Sequence, residues 1–301
     1  MRLNNLFFTS LFLAVFAISC DKDDDDGPEI IPPRDRAEQE ADDQVALLEY
    51  LETHTFNYEE FENPSESFDY EIRFDTIHEI NADKIPLIDS EFLKERTLTR
   101  HDVEYKYYVL KIREGEREQP KFTDSTYVSY KGELLDRTRF DNSTNPVWFD
   151  LTRVVTGFAQ ALTEFKGSTG FVVNTDNTVT WNPDFGIGAV IMPSGLGYFS
   201  NPPSGSNITA YSPLVFGFKL MGVNEADHDG DGVPSWMEDV NQDGIIENDD
   251  TDGNGVPNFF DRDDDGDFIP TREEIIINED GSIEFPDKDG DGVPDYLDSD
   301  Y

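Results

Sequence analysis

Residues Tyr130–Leu151 read YKGELLDRTRFDNSTNPVWFDL. The stretch is rich in aromatics and sets Asp141 directly after Phe140, yet it holds no histidine, no cysteine and no obvious nucleophile. Around its start, Val128, Tyr130 and Leu134 fall on one side of an extended chain, and Ser129, Lys131 and Glu133 on the other. That period of two predicts a half-buried strand. Any function here must come from an apolar, aromatic surface.

The flanking sequence extends the pattern. "YYVLKIREG" reads as a strand, and "GFAQALTEFK" puts Phe158, Leu162 and Phe165 on one helical face, with Gly167 as a stop. "FVVNTDNTVTW" predicts a hairpin around Asn174 to Asn177. "PLVFGFKLMGV" alternates Leu214, Phe216, Phe218 and Leu220 against Gly217 and Lys219. Several strands around one short helix define an α+β domain, expected over residues 101–223.

Five pieces of this domain, "VSYKGELL", "RFDNS", "VVTGFAQAL", "VIMPSGLGYF" and "SPLVFGFKL", stand in an order and approximate spacing that resemble FKBP-type peptidyl-prolyl isomerases. The resemblance implies a twisted antiparallel half-barrel sheet around the short helix, with an apolar pocket between them. Carried over position by position, it nominates Tyr130, Phe140, Asp141, Val154, Val155, Phe158, Tyr198, Ile208 and Phe216 as pocket residues. The sequence departs from the family at Phe158, where tryptophan is usual, and at Val147, where an aromatic is usual. Phe199 stands where the family has glycine. Such a pocket needs no nucleophile and no cofactor for catalysis. An X–Pro bond isomerises over tens to hundreds of seconds, and the barrier is the resonance of the amide. A water-poor site that favours the twisted amide lowers it, with the Tyr198 hydroxyl and the Val155 N–H orienting neighbouring carbonyls.

The rest of the chain differs in character. Of 301 residues, 65 are acidic and 23 basic, a net charge of −42, which excludes the clustered cations that nucleic-acid binding needs. Between Asn224 and Tyr301 stand 27 acids against Arg262, Arg272 and Lys288, so −24 of the charge lies in residues 224–301. There "DHDGDGVPSWMED" sets Asp227, Asp229, Asp231, Gly232, Val233, Ser235 and Glu238 at positions 1, 3, 5, 6, 7, 9 and 12 of a calcium loop. The pattern recurs with Asp250, Asp252, Asn254 and Asp261, and with Asp287, Asp289, Asp291 and Asp298. It is degraded in Asp263, Asp265, Asp267 and Glu274, where Phe268 replaces the glycine, and in Asp239, Asn241, Asp243 and Asp250. Successive loops start 12, 11, 13 and 24 residues apart, too close for flanking helices. Proline at position 8 (Pro234, Pro257, Pro294) removes the N–H needed to pair twinned loops. The tail resembles the thrombospondin type 3 repeat, which implies an irregular segment wrapped around several structural Ca2+ ions. "IIINEDGSIEF" interrupts it as a small hairpin at Asp280-Gly281.

At the other end, the apolar run from about Leu6 to Ile18 fits a signal-peptide core. "FAISC" resembles a bacterial lipobox, nominating Cys20, the single cysteine, for lipidation. "CDKDDDD" resembles the acidic export signal of Bacteroidetes lipoproteins. The expected organisation is a signal peptide (1–19), an acidic disordered tether (20–36), an accessory region with one helix (37–100), the isomerase-like domain (101–223) and the calcium tail (224–301). Ala37, Ala41, Val45, Leu48 and Leu51 give that helix its apolar face. The expected function is a monomeric prolyl isomerase acting on proline-containing exported polypeptides, anchored to the outer membrane on its cell-surface or periplasmic face. The competing expectation is an FKBP-like module that binds proline segments without turnover, on a surface protein whose tail serves calcium-dependent adhesion or assembly.

Overall fold

The computed structural model describes residues 32–300. The signal peptide, Cys20 and most of the tether lie outside them. The described residues form four helices: α1 (Arg36–Thr53), α2 (Tyr58–Glu62), α3 (Thr156–Leu162) and α4 (Thr271–Glu274). The strands are β1 (His54–Phe56), β2 (Phe74–Thr76), β3 (Leu93–Arg100), β4 (Val103–Arg113), β5 (Ser125–Leu134) and β6 (Arg139–Asp150). They continue with β7 (Phe171–Val173), β8 (Val179–Trp181), β9 (Gly186–Met192), β10 (Leu214–Asn224), β11 (Ile276–Ile277) and β12 (Ile283–Glu284).

An antiparallel six-stranded sheet in the order β3-β4-β9-β10-β5-β6 organises the α+β domain. Its two faces carry separate cores. On one, Phe158, Leu162 and Phe165 pack on Val109, Val128, Phe216, Phe218 and Leu220. On the other, Leu47, Leu51, Phe56, Ile72, Phe74 and Leu87 pack on Leu110, Ile187, Ile191 and Val215. The segment read as accessory is therefore the cover of the sheet's second face. It also supplies the edge strand β3, paired to β4 from Leu93↔Leu110 to Arg100↔Val103, across the boundary expected at 101. Burial on both faces explains why β9, "GIGAVIM", is apolar without alternation.

The α1 helix forms where expected, with Asp35 accepting from the N–H groups of Ala37 and Glu38, but its buried face differs. Val45 is 69% exposed and Leu48 41%, whereas Gln39, Glu40, Asp43, Leu47, Tyr50 and Leu51 are buried. Polar partners decide this face: Glu40 accepts from the Lys106 N–H, and Asp43 from the N–H and hydroxyl of Ser194. The α3 helix ends at Leu162, before the expected stop at Gly167. The hairpins β7–β8 and β11–β12 lie where the turn residues placed them.

Candidate functional site

A cavity of about 700 Å³ opens between α3 and the sheet. Seven of the nine nominated residues border it: Tyr130, Asp141, Val154, Val155, Phe158, Tyr198 and Phe216. They come from β5, β6, the turn before α3, α3 itself, the loop after β9, and β10. Phe158 forms the floor at 3% exposure, with ring contacts to Tyr130, Phe149, Phe216 and Phe218. The Tyr130 hydroxyl donates to Asp141 Oδ2 at 2.6 Å. Burial first, and that hydrogen bond second, hold the Tyr130 phenol above its ordinary pKa. The Tyr198 phenol is raised by burial and by the charge of Asp141.

Among the donors at the cavity without an acceptor in the described residues are the Tyr198 hydroxyl and the Val155 N–H, which precedes the first turn of α3. Phe140 and Ile208 do not border the cavity. The Phe140 ring packs edge-on against Phe216, over Gly132, where a Cβ would collide with it. Ile208 is buried in the core beside the pocket.

The sequence reading missed Trp148, Phe149, Asp150, Arg153 and Thr156, all of which border the cavity. The ladder between β5 and β6 slips between Val128↔Val147 and Tyr130↔Ser143, a bulge that re-aims the neighbouring side chains of β6. Phe149, two residues beyond Val147 and paired with Thr126, lies on the same face by ordinary alternation and brings a ring to 5.2 Å from Tyr130 and 6.2 Å from Phe158. The period of two that links Asp141, Val147 and Phe149 was the available signal. A second cavity, of about 250 Å³, lies over the other face of β5 and β10 and mixes Lys131, Arg139 and Lys219 with Asp69 and Glu71. Of the nominated residues only Tyr130 reaches it.

The loop that carries Tyr198 is held from behind by α1. Asp43 accepts from Ser194 N at 2.8 Å and Ser194 Oγ at 2.6 Å, in a buried setting. The Arg36 guanidinium lies 4.1 Å from the centroid of the Phe199 ring. Phe199 has φ +50, in the left-handed region, and packs edge-on against Tyr211. Asp43→Ala leaves three buried donors, the Ser194 N–H and hydroxyl and the Gln39 amide, without their acceptor and is expected to destabilise the protein by about 2–4 kcal/mol in urea unfolding. A change under about 0.5 kcal/mol would mean that the contact contributes nothing measurable.

In the tail, five loops share one hydrogen-bonded frame. The first residue's carboxylate accepts the sixth residue's N–H in each: Gly232 to Asp227, Gly244 to Asp239, Gly255 to Asp250, Phe268 to Asp263 and Gly292 to Asp287. The fifth side chain accepts the seventh N–H in all five. The degraded fourth loop keeps the frame because Phe268 takes the left-handed conformation of the glycines, φ +74, with its ring 93% exposed. The ninth residue is a latch in four loops: Ser235, Asn258, Thr271 and Asp295 each accept the second residue's N–H.

Carboxylates converge in loops one, four and five: Asp227/Asp229/Asp231, Asp263/Asp265/Asp267 and Asp287/Asp289/Asp291. In loops two and three, Asn241 and Asn254 replace one of the three acids. Asp261 instead accepts from the Asn254 amide, and Asp298 from the Asp300 N–H. Asp264, which the sequence reading did not nominate, joins Asp231 and Glu238 from the fourth loop. It occupies loop position two, which carries no ligand in the pattern used to read the sequence. Both Glu238 carboxylate oxygens, Asp229 Oδ2, Asp231 Oδ2 and Asp264 Oδ1 are buried without a hydrogen-bond partner. Burial, then neighbouring acids, push Glu238 up to about 10. Burial foremost pushes Asp264 up to about 8.

A family model described as BamM C-terminal matches residues 228–285. No curated protein matches the chain. Solved structures with partial likeness include a peptidyl-prolyl cis-trans isomerase from Pseudomonas syringae pv. tomato, 24% identical with TM-score 0.35, over 45% of this chain and 84% of that one. FkpA from Escherichia coli is 21% identical with TM-score 0.37, and the match spans 62% of each chain. The N-terminal domain of FKBP42 from Arabidopsis thaliana is 15% identical with TM-score 0.33, over 44% of this chain and 93% of that domain.

Proposed function

We propose that the cavity over Phe158 holds prolyl segments of polypeptides and accelerates X–Pro isomerisation. The observation that carries this reading is the convergence of seven nominated residues, drawn from six separate segments, on one aromatic cavity with the Tyr198 hydroxyl and the Val155 N–H unpaired at its edge. Phe158 and Phe216 supply an apolar floor for the prolyl ring. The Tyr198 hydroxyl and Val155 N–H hold flanking carbonyls, while the X–Pro amide itself meets no donor and loses little by twisting. Binding that is tighter for the twisted amide than for either planar isomer is catalysis. Asp141, held by Tyr130, shapes the polar edge.

The tail fits a hard dication by the same test of unpaired atoms. Asp227, Asp229, Asp231 and Glu238, with Asp264 from the fourth loop, would hold one ion, and the acids of loops four and five would hold others. Bound Ca2+ neutralises charge that the short apolar core of Val233, Ile275 and Tyr296 cannot offset. We further propose that the chain is a lipoprotein anchored through Cys20 to the outer membrane, acting on exported clients.

A titration with a short Ala-Leu-Pro-Phe peptide, followed by amide NMR, tests the site. Shifts should centre on Val155 and Tyr198. Shifts confined to the outer cavity of Lys131 and Lys219 would relocate binding and defeat this reading.

A further inference from the structure

The first loop of the tail reaches the wall of the cavity through one histidine. His228 lies between Asp227 and Asp229, and its Nε2 is 3.3 Å from Asp150 Oδ2. In the neutral ring, a carboxylate there places the proton on Nε2, and Nδ1 then accepts from the Ser235 hydroxyl, 2.8 Å away. Ser235 in turn accepts the His228 N–H at 3.1 Å. The ring is wedged edge-on against Phe259 and Phe260 at 5.5 and 5.4 Å. His228 is therefore fixed by both the first and third loops.

Asp150 has a structural task at the pocket. Its Oδ1 accepts the Thr152 N–H at 2.9 Å and the Thr152 hydroxyl at 2.7 Å, capping the turn that delivers Val154 and Val155 to the cavity. Asp124 makes a parallel link, accepting the Leu151 N–H on its carbonyl and the Ala226 N–H on its carboxylate. Farther along, Arg100 donates to the Gly244 carbonyl of the second loop at 2.7 Å.

We infer that His228 is a positioning residue for the cavity: the ordered first loop holds Asp150, and through it the 150–156 wall, so that cation occupancy of the tail sets the pocket's affinity for proline segments. This inference rests on the proposed prolyl pocket. A cation held by Asp227, Asp229 and Asp231 fixes the backbone on both sides of His228. Without it the ring loses its anchor, and Asp150 keeps only Arg153, whose Nε is 3.3 Å away, and its turn contacts. Two states of the wall that differ in contacts give the cation a differential effect, as coupling between sites requires.

The test uses the full chain in calcium and in chelator, with two readouts: amide exchange across residues 150–158, and affinity for the Ala-Leu-Pro-Phe peptide. Chelation should speed exchange at Thr152 and Phe158 and weaken peptide binding, each by about tenfold. His228→Phe keeps a ring against Phe259 and Phe260 but loses both nitrogens. In calcium it should already show the fast exchange and weak binding, and respond little to chelator, while its calcium affinity stays within about threefold of the parent. Unchanged exchange and affinity on chelating the parent protein overturn the inference without any variant. A His228→Phe protein that behaves as the parent does likewise. Exchange that responds to calcium, with no peptide bound in either state, overturns the prolyl reading and keeps the coupling.

Discussion

Stripping divalent cations from the full chain is expected to unfold the tail, residues 224–301, while the six-stranded domain stays folded. Both sheet cores are built from residues before 224, so the domain does not need the tail for burial. The tail has little to replace the proposed cations. Its core is Val233, Ile275 and Tyr296 with partial cover, and the unpaired oxygens of Asp229, Asp231, Glu238 and Asp264 face one another. A cation at about 100 times its dissociation constant contributes about 2.7 kcal/mol per site. Three sites would supply about 8 kcal/mol, within the whole stability of a small domain, about 5–15 kcal/mol. Calorimetry in chelator should show the tail's transition lost or lowered by tens of degrees, with Trp236 fluorescence reporting the same event. Identical scans with and without chelator would contradict the cation role.

The same groups fix the pH dependence of the metal-free protein. Glu238 and Asp264 are raised in the folded state, so the folded tail binds more protons than the unfolded chain. Their contribution is greatest below the unfolded values near 4 and falls as pH rises through about 8 and about 10. Where a lowered transition of the tail persists in chelator, it should lie higher at pH 5 than at pH 8.

The second large effect lies at the cavity floor. Phe158→Ala is expected to destabilise the domain by about 3–5 kcal/mol, because four aromatic neighbours lose their common contact. It therefore cannot separate a core role from a substrate role. Phe158→Leu, costing about 1–2 kcal/mol, keeps the fold while removing the flat ring on which a proline would rest. Isomerisation by Phe158→Leu should fall by at least about tenfold, a loss of roughly 1.4 kcal/mol in transition-state binding. A Leu variant as active as the parent would mean that Phe158 is core only.

How much of this was legible depended on how local the signal was. The strands β5 and β10 alternate along their own sequence, and the loops of the tail repeat one frame at their own spacing, so both could be read directly. The face of α1 could not, because Glu40 and Asp43 are buried by partners at Lys106 and Ser194, 66 and 151 residues away. A hydrophobic period cannot report a helix that docks through hydrogen bonds. Phe149 shares the period-two face of Asp141 and Val147 and was legible in principle, whereas Asp264 was hidden because its cluster is assembled from two loops. The link between His228 and Asp150 spans 78 residues and leaves no trace in either segment.

The central claim is that the cavity turns over X–Pro bonds, and a protease-free isomerisation assay on the calcium-loaded full chain tests it most directly. Tyr198 is only half-buried, so Tyr198→Ala is a control that spares the fold. Isomerisation should be faster than the spontaneous rate, and Tyr198→Ala should lose most of the acceleration with its unfolding midpoint unchanged. A folded, calcium-loaded protein that leaves the spontaneous rate untouched, or a Tyr198→Ala variant as fast as the parent, would contradict it.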